Sequence, residues 1–176
     1  MKKILYKSLA LVFATVALSS CLKDDSYVLD PDKAAANVID FQNPTDIGAV
    51  GTTNPLYIYS FPIQPTPTAI DLTVSYSGAE DAAPKDITVN IGLAAQSVID
   101  TYNAEQTKTF LMMPSSWYTL SATSVVIPKG KKTASFKVNV STSLIDLTKT
   151  YVLPLKLTSA DAVVSANFGT ALFQIG

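Results

Sequence analysis

The chain has 176 residues with 13 Lys against 14 Asp plus Glu, a net charge of −1, no His and no Arg. Without those two residue types, Ser-His and Cys-His triads cannot be built, zinc sites of His and Cys are absent, and bidentate Arg clamps on phosphate are unavailable. The acidic balance argues further against nucleic acid as a partner.

Residues 1–20 read as an export segment: Lys2, Lys3 and Lys7 form a basic region, Ser8 to Leu18 an apolar one, and Ser19 and Ser20 precede Cys21. This is the layout of a secretory signal peptide, and the apolar run is too short to span a bilayer. Leu18-Ser19-Ser20-Cys21 resembles the bacterial lipobox, which implies a diacylglycerol on the Cys21 sulfur and cleavage just before it. Cys21 is the only cysteine, so the fold has no disulfide and relies on its apolar core. Each buried acyl methylene contributes about 0.8 kcal/mol, and two or more chains anchor stably. The expected membrane partner is therefore a bilayer reached through an N-terminal lipid. Lys23-Asp24-Asp25 resembles the acidic export signal of Bacteroidota lipoproteins, which implies an outer-membrane location facing the cell exterior.

Loss of residues 1–20 removes three lysines and no acid, leaving ten Lys against fourteen acids and a charge of −4 over 156 residues. That length suits one domain burying about two thirds of its unfolded surface. Residues 21–36 are polar and turn-rich and read as the lipidated cysteine and a flexible tether, able to extend to about 50 Å. Asp30-Pro31-Asp32 has two carboxylates for calcium, but no EF-hand spacing follows, and it reads as a solvated turn with no metal.

From residue 37 to 176 the signal is period-two alternation, the mark of half-buried strands. Ile70, Leu72, Val74 and Tyr76 alternate with polar residues, as do Ile87, Val89, Ile91 and Leu93, then Ala134, Phe136, Val138 and Val140, then Tyr151, Leu153, Leu155 and Leu157. Val38 to Phe41, Leu56 to Ile63, Ser124 to Ile127 and Ala171 to Ile175 complete about eight strands. Pro62, Pro65 and Pro67 leave Phe61 to Thr68 poor in ladder donors, suiting an edge or a crossing between sheets. Ile127-Pro128-Lys129-Gly130-Lys131 predicts a tight hairpin with Gly130 left-handed. Ala94 to Gln106 breaks the alternation, placing Val98, Ile99 and Tyr102 at helical spacing. The fold class is all-β: an immunoglobulin-like antiparallel β-sandwich with one short connecting helix, a closed barrel being the alternative.

A resemblance covers roughly Asp86 to Ala160. Its string runs through Ile87-Thr88-Val89, Val98-Ile99-Asp100-Thr101-Tyr102-Asn103, Met113-Pro114 before Trp117-Tyr118, Val126-Ile127-Pro128-Lys129-Gly130 into Ala134-Ser135-Phe136, and Tyr151 to Leu157. It resembles the domain of unknown function seventeen thirty-five, an N-terminal domain of Bacteroidota surface lipoproteins encoded among glycan-acquisition genes. The resemblance implies an accessory role in glycan capture. In longer members the domain precedes a glycoside hydrolase, a sugar-binding module or a second sandwich, and any catalysis sits in those later modules.

Three readings of the residues follow. Trp117 and Tyr118, with Tyr57, Tyr59 and Tyr102, are candidates for a platform on which sugar rings stack; aromatics in a sandwich more commonly belong to its core. Alternatively the domain is an adhesion or assembly module binding an outer-membrane protein by a sheet edge, with Phe61 to Thr68 and the final strand near Phe173 and Ile175 as candidate edges. A remoter alternative is a glycosidase using two carboxylates drawn from Glu80, Asp81, Asp100 and Glu105. The reading preferred here is a non-catalytic, surface-exposed lipoprotein that binds carbohydrate and uses no cofactor.

Overall fold

The structure, a computed structural model, describes residues 37–42 and 53–176. Cys21, Lys23, Asp24, Asp25, the 22–36 tether and Asp30-Pro31-Asp32 lie outside the described residues. The described residues fall within one unit, Ala36–Gly176.

Two sheets face each other, so the fold is a β-sandwich. The first has the order β10 (Val163–Val164), β1 (Val38–Phe41), β3 (Thr68–Ser77), β8 (Thr133–Val140), β6 (Tyr118–Leu120). The second has the order β2 (Leu56–Tyr59), β11 (Thr170–Ile175), β9 (Tyr151–Thr158), β4 (Ile87–Leu93), β7 (Ser124–Ile127), with β5 (Leu111–Met112) paired to β9. Alternation decides the inner faces: Ile70, Leu72 and Val74 of β3 and Phe136, Val138 and Val140 of β8 meet Ile87, Val89 and Ile91 of β4 and Leu153, Leu155 and Leu157 of β9. Each fully buried side chain of this size contributes roughly 1.5–3 kcal/mol. Leu93, expected to continue the inner row, is 51% exposed, because there the chain leaves the sheet for the helix.

The strands β9 and β11 are buried on both faces. Helix α1 (Gln96–Gln106) lays Ile99 and Tyr102 over Leu56, Val152 and Leu172 on the outside of the second sheet. Val152 and Pro154, which stand between the inner residues of β9, are therefore buried as well. The helix ends at Thr107, left-handed with φ 50°, whose N–H donates to the Asn103 carbonyl.

Four features depart from expectation. Eleven strands are present among the described residues, because β5, β6 and β10, at two or three residues each, are too short to show alternation. The pairs β1–β10, β2–β11 and β5–β9 are parallel, so the sheets are mixed. The final strand β11 lies between β2 and β9 and is no edge. The 127–131 turn closes no hairpin, since β7 belongs to the second sheet and β8 to the first. Gly130 is nonetheless left-handed at φ 79°, and the Lys131 N–H donates to the Pro128 carbonyl at 2.9 Å. The loop between β3 and β4 crosses the same gap and braces the turn through Ala83, which exchanges backbone hydrogen bonds with Gly130 and Lys131. The proline-rich stretch after Tyr59, read as an edge or a crossing, is the crossing: residues 60–67 pair in neither sheet and carry the chain from the β2 edge to β3. Thr142, 1% exposed, holds it by accepting from the Gln64 N–H at 3.1 Å and donating to the Pro62 carbonyl at 3.3 Å.

Candidate functional site

The described residues form an open cleft of about 360 Å³ beside β1. In the β1–β3 pairing Asp40 lies opposite Ser75 and Val38 opposite Ser77. Period two therefore turns Asp40, Ser75 and Ser77 away from the apolar inner face. The Ser77 hydroxyl donates to Asp40 Oδ1 at 3.0 Å, and the Ser75 hydroxyl donates to the same oxygen. The two serine oxygens are 3.2 Å apart. A carboxylate only accepts, so each hydroxyl donates to it or to the neighbouring serine, and Asp40 Oδ2 stands outside those bonds. The triad thus presents acceptors to whatever enters.

Across the cleft stands Phe168, 39% exposed, on the loop between β10 and β11. Its position is set by backbone bonds to β1: the Phe41 N–H donates to the Phe168 carbonyl at 3.0 Å and the Ser165 N–H to the Ile39 carbonyl at 2.8 Å. The loop is tight at Gly169, whose N–H donates to the Ser165 carbonyl at 2.9 Å, and any side chain there would collide with that carbonyl and with Val164. Gln42, exposed where β1 ends, adds an amide. Tyr57 contributes its phenol from below. The ring is buried against Phe173 at 5.3 Å, and the hydroxyl points to the Phe41 carbonyl at 3.5 Å. Burial foremost, then the charges of Asp40 and Tyr59, push the Tyr57 pKa up to about 12. Tyr57 is therefore a neutral donor at any ordinary pH.

The five aromatic residues singled out by sequence do not converge. Tyr57 and Tyr102 are buried, on opposite sides of the second sheet, the latter stacked on Phe110 at 5.6 Å. Tyr59 and Tyr57 share the inner face as alternation requires, and Tyr59 stacks on Phe61 at 6.2 Å. Trp117 sits in a 3₁₀ turn, Ser115–Trp117, edge-on to Tyr151 at 4.9 Å. Trp117 and Tyr118 are both half-buried against the inter-sheet core, so neither faces cleanly outward. Burial raises the pKa of Tyr59, Tyr102 and Tyr118. Around this end of the sandwich Ile63, Leu144 and Leu147 are 51%, 49% and 70% exposed.

The carboxylates are scattered. Glu80 accepts from the Tyr76 hydroxyl at 2.8 Å, Asp81 pairs with Lys132 at 3.2 Å, and Asp100 accepts from Gln96 at 3.0 Å. Glu105 is held by the Thr53 hydroxyl and N–H, which lower its pKa. Asp146 and Asp161 also move down, through hydrogen bonds from Thr148 and from the Thr88 N–H respectively. A glycosidase's acid needs the opposite shift.

A family model described as "-like, N-terminal domain" matches residues 42–164, and the chain belongs to this family of N-terminal domains. No curated protein matches it. Among solved structures it resembles a candidate carbohydrate-binding protein of Bacteroides ovatus, with 21% identity and a TM-score of 0.63 over 79% of this chain and 36% of that one. It also resembles a multidomain protein including DUF1735 from Bacteroides ovatus, with 18% identity and a TM-score of 0.57 over 78% of this chain and 43% of that one. A third is EndoBT-3987 of Bacteroides thetaiotamicron, with Man5GlcNAc product, at 13% identity and a TM-score of 0.53 over 68% of this chain and 28% of that one. The chain thus spans less than half the length of each, and the likeness is one of fold.

Asp40, Gln42, Ser75, Ser77 and Phe168 escaped the sequence reading. Asp40 between Ile39 and Phe41, and Ser75 and Ser77 astride Tyr76, were legible as outward polar positions. Nothing in the chain order tells that β1 and β3 pair in this register or that the loop at 165–169 folds onto β1.

Proposed function

We propose that this domain is a non-catalytic accessory in glycan capture that binds carbohydrate in the cleft beside β1. The cleft itself carries the reading. An exposed aromatic ring faces a carboxylate braced by two hydroxyls, with a neutral phenol and an amide at the margin, in a volume at the lower end of small-ligand sites. Sugars offer C–H faces to an aromatic and hydroxyl donors to such acceptors. The fold shared with a candidate carbohydrate-binding protein and with a protein holding Man5GlcNAc product supports it, as does the 18%-identical structure that includes DUF1735, the family suggested by the Asp86–Ala160 string.

The domain is held to the outer membrane by lipid on Cys21 and displayed outward by Lys23-Asp24-Asp25. Cys21→Ala is expected to move the protein from the membrane fraction to the soluble one. Changing Lys23, Asp24 and Asp25 to Ala is expected to abolish its cleavage by protease added to intact cells; unchanged cleavage refutes outward display by this signal. A glycan array probed with the full-length protein in detergent tests the binding reading, which requires saturable binding lost in Phe168→Ala. Observed apolar exposure at Ile63, Leu144 and Leu147 favours a second reading, a surface that docks an outer-membrane protein. Pull-down from outer membranes that depends on Leu147 and not on Phe168 is the result that reading requires.

A further inference from the structure

Asp40 is the sole charged side chain among the described residues lining the cleft; Phe41, Gln42, Tyr57, Ser75, Ser77 and Phe168 complete it and carry no charge. No described lysine joins them. The described lysines that pair with acids do so elsewhere: Lys85 with Asp161, Lys132 with Asp81, Lys137 with Asp71 and Lys149 with Asp146. The two serine hydroxyls nearest the ligand space both lie within donating reach of Asp40 Oδ1, so an incoming anion competes with that carboxylate for their protons. An acidic sugar seated against this triad would face a negative charge, with two hydroxyl oxygens turned lone-pair outward. A neutral sugar brings hydroxyl donors that the same groups accept.

From this we infer that the cleft selects neutral glycans and rejects uronic acid and other anionic sugars, with Asp40 as the specificity-determining residue. The inference rests on the glycan-capture reading and adds the class of glycan. Discrimination here works by repulsion, a built-in like charge against the wrong ligand. Because the cleft is open, that repulsion is felt partly through water and weakens with salt.

The test uses the full-length protein in detergent and calorimetric titration with matched disaccharides of gluco, galacto and manno configuration, each neutral form against its uronic acid counterpart. The expected result is saturable binding of at least one neutral disaccharide and about tenfold or weaker binding of its acidic partner, equivalent to about 1.4 kcal/mol. Raising the salt from low to about 0.5 M is expected to narrow that ratio in the unmodified protein, as screening requires. Asp40→Asn, isosteric and still able to accept from both serines, is expected to bring the ratio below about threefold, whatever the absolute affinities. Equal binding of neutral and acidic forms overturns the inference and leaves glycan capture standing. A ratio unmoved by both salt and Asp40→Asn places the sugar away from the triad and also overturns it. Binding of none of the six sugars overturns this inference, while the glycan array alone decides the glycan-capture reading.

Discussion

The cleft beside β1 and the aromatic end of the sandwich are built from opposite materials. The end collects Tyr59, Phe61, Trp117, Tyr118 and Tyr151, yet these rings lie on one another or on the core: Tyr59 stacks on Phe61, and Trp117 meets Tyr151 edge-on. The cleft has a single half-open ring, Phe168, but surrounds it with Asp40, Ser75, Ser77 and Gln42. The lesson is that aromatic number is a poor guide to a sugar site. What matters is a ring left uncovered beside fixed polar groups, and in a sandwich most rings are covered because they are the largest apolar surface available for burial.

That contrast can be broken at its shared support. Phe173 contacts Phe41 and Tyr57 at 5.3 Å and Tyr59 at 6.4 Å, linking the floor of the cleft to the aromatic end. Phe173→Ala is expected to cost about 3–5 kcal/mol in urea unfolding, through lost transfer energy and the cavity left behind. It is the one substitution expected to damage both regions.

A smaller effect separates them by pH. Tyr57 ionises near 10.0 when unfolded and near 12 when folded. Its neutral form is favoured by the fold, so this contribution is complete below pH 10 and is lost as pH rises through 12, on the order of 2 kcal/mol. Unfolding measured from pH 9 to 12 is expected to show that loss, and Tyr57→Phe is expected to flatten the part of the slope that belongs to this residue.

Trp117→Ala removes a half-buried ring and its edge contact with Tyr151, at an expected cost of about 1–2 kcal/mol. Glycan binding is expected to be unchanged, which sets the aromatic end apart from the cleft; loss of binding in the folded variant would instead restore Trp117 as a sugar platform. Phe168→Ala is expected to shift stability by less than about 0.5 kcal/mol, because the ring is exposed and its loop is held by backbone bonds. Binding is expected to fall at least about tenfold. Equal binding in Phe168→Ala would move the site off the cleft.

Much of the fold could be read from residue order alone. Alternation located β1, β3, β4, β7, β8, β9 and β11 to within about two residues, because a strand between a core and water must repeat every second residue. The 3.6-residue spacing of Ile99 and Tyr102 located the helix, and the three prolines after Phe61 located the crossing. That Tyr57 and Tyr59 share a face follows from the same period; that this face is the inner one does not. These are local properties, each decided within one element.

Tertiary structure decided which strand neighbours which. A period states which face a residue takes and is silent on the partner, so Pro128-Lys129-Gly130 looks the same whether it closes a hairpin or carries the chain between sheets. It does the second, because β7 finds its partner in β4 and β8 in β3, more than thirty residues back in the chain. Likewise β11 looks like a free terminal strand until β2 pairs beside it, 116 residues away at Leu56 and Leu172. The cleft belongs wholly to this second category. Asp40, Ser75 and Phe168 are brought together by two pairings of distant backbone, β1 with β3 and β1 with β10, and hydrogen bonds of that range leave no periodic mark in the sequence.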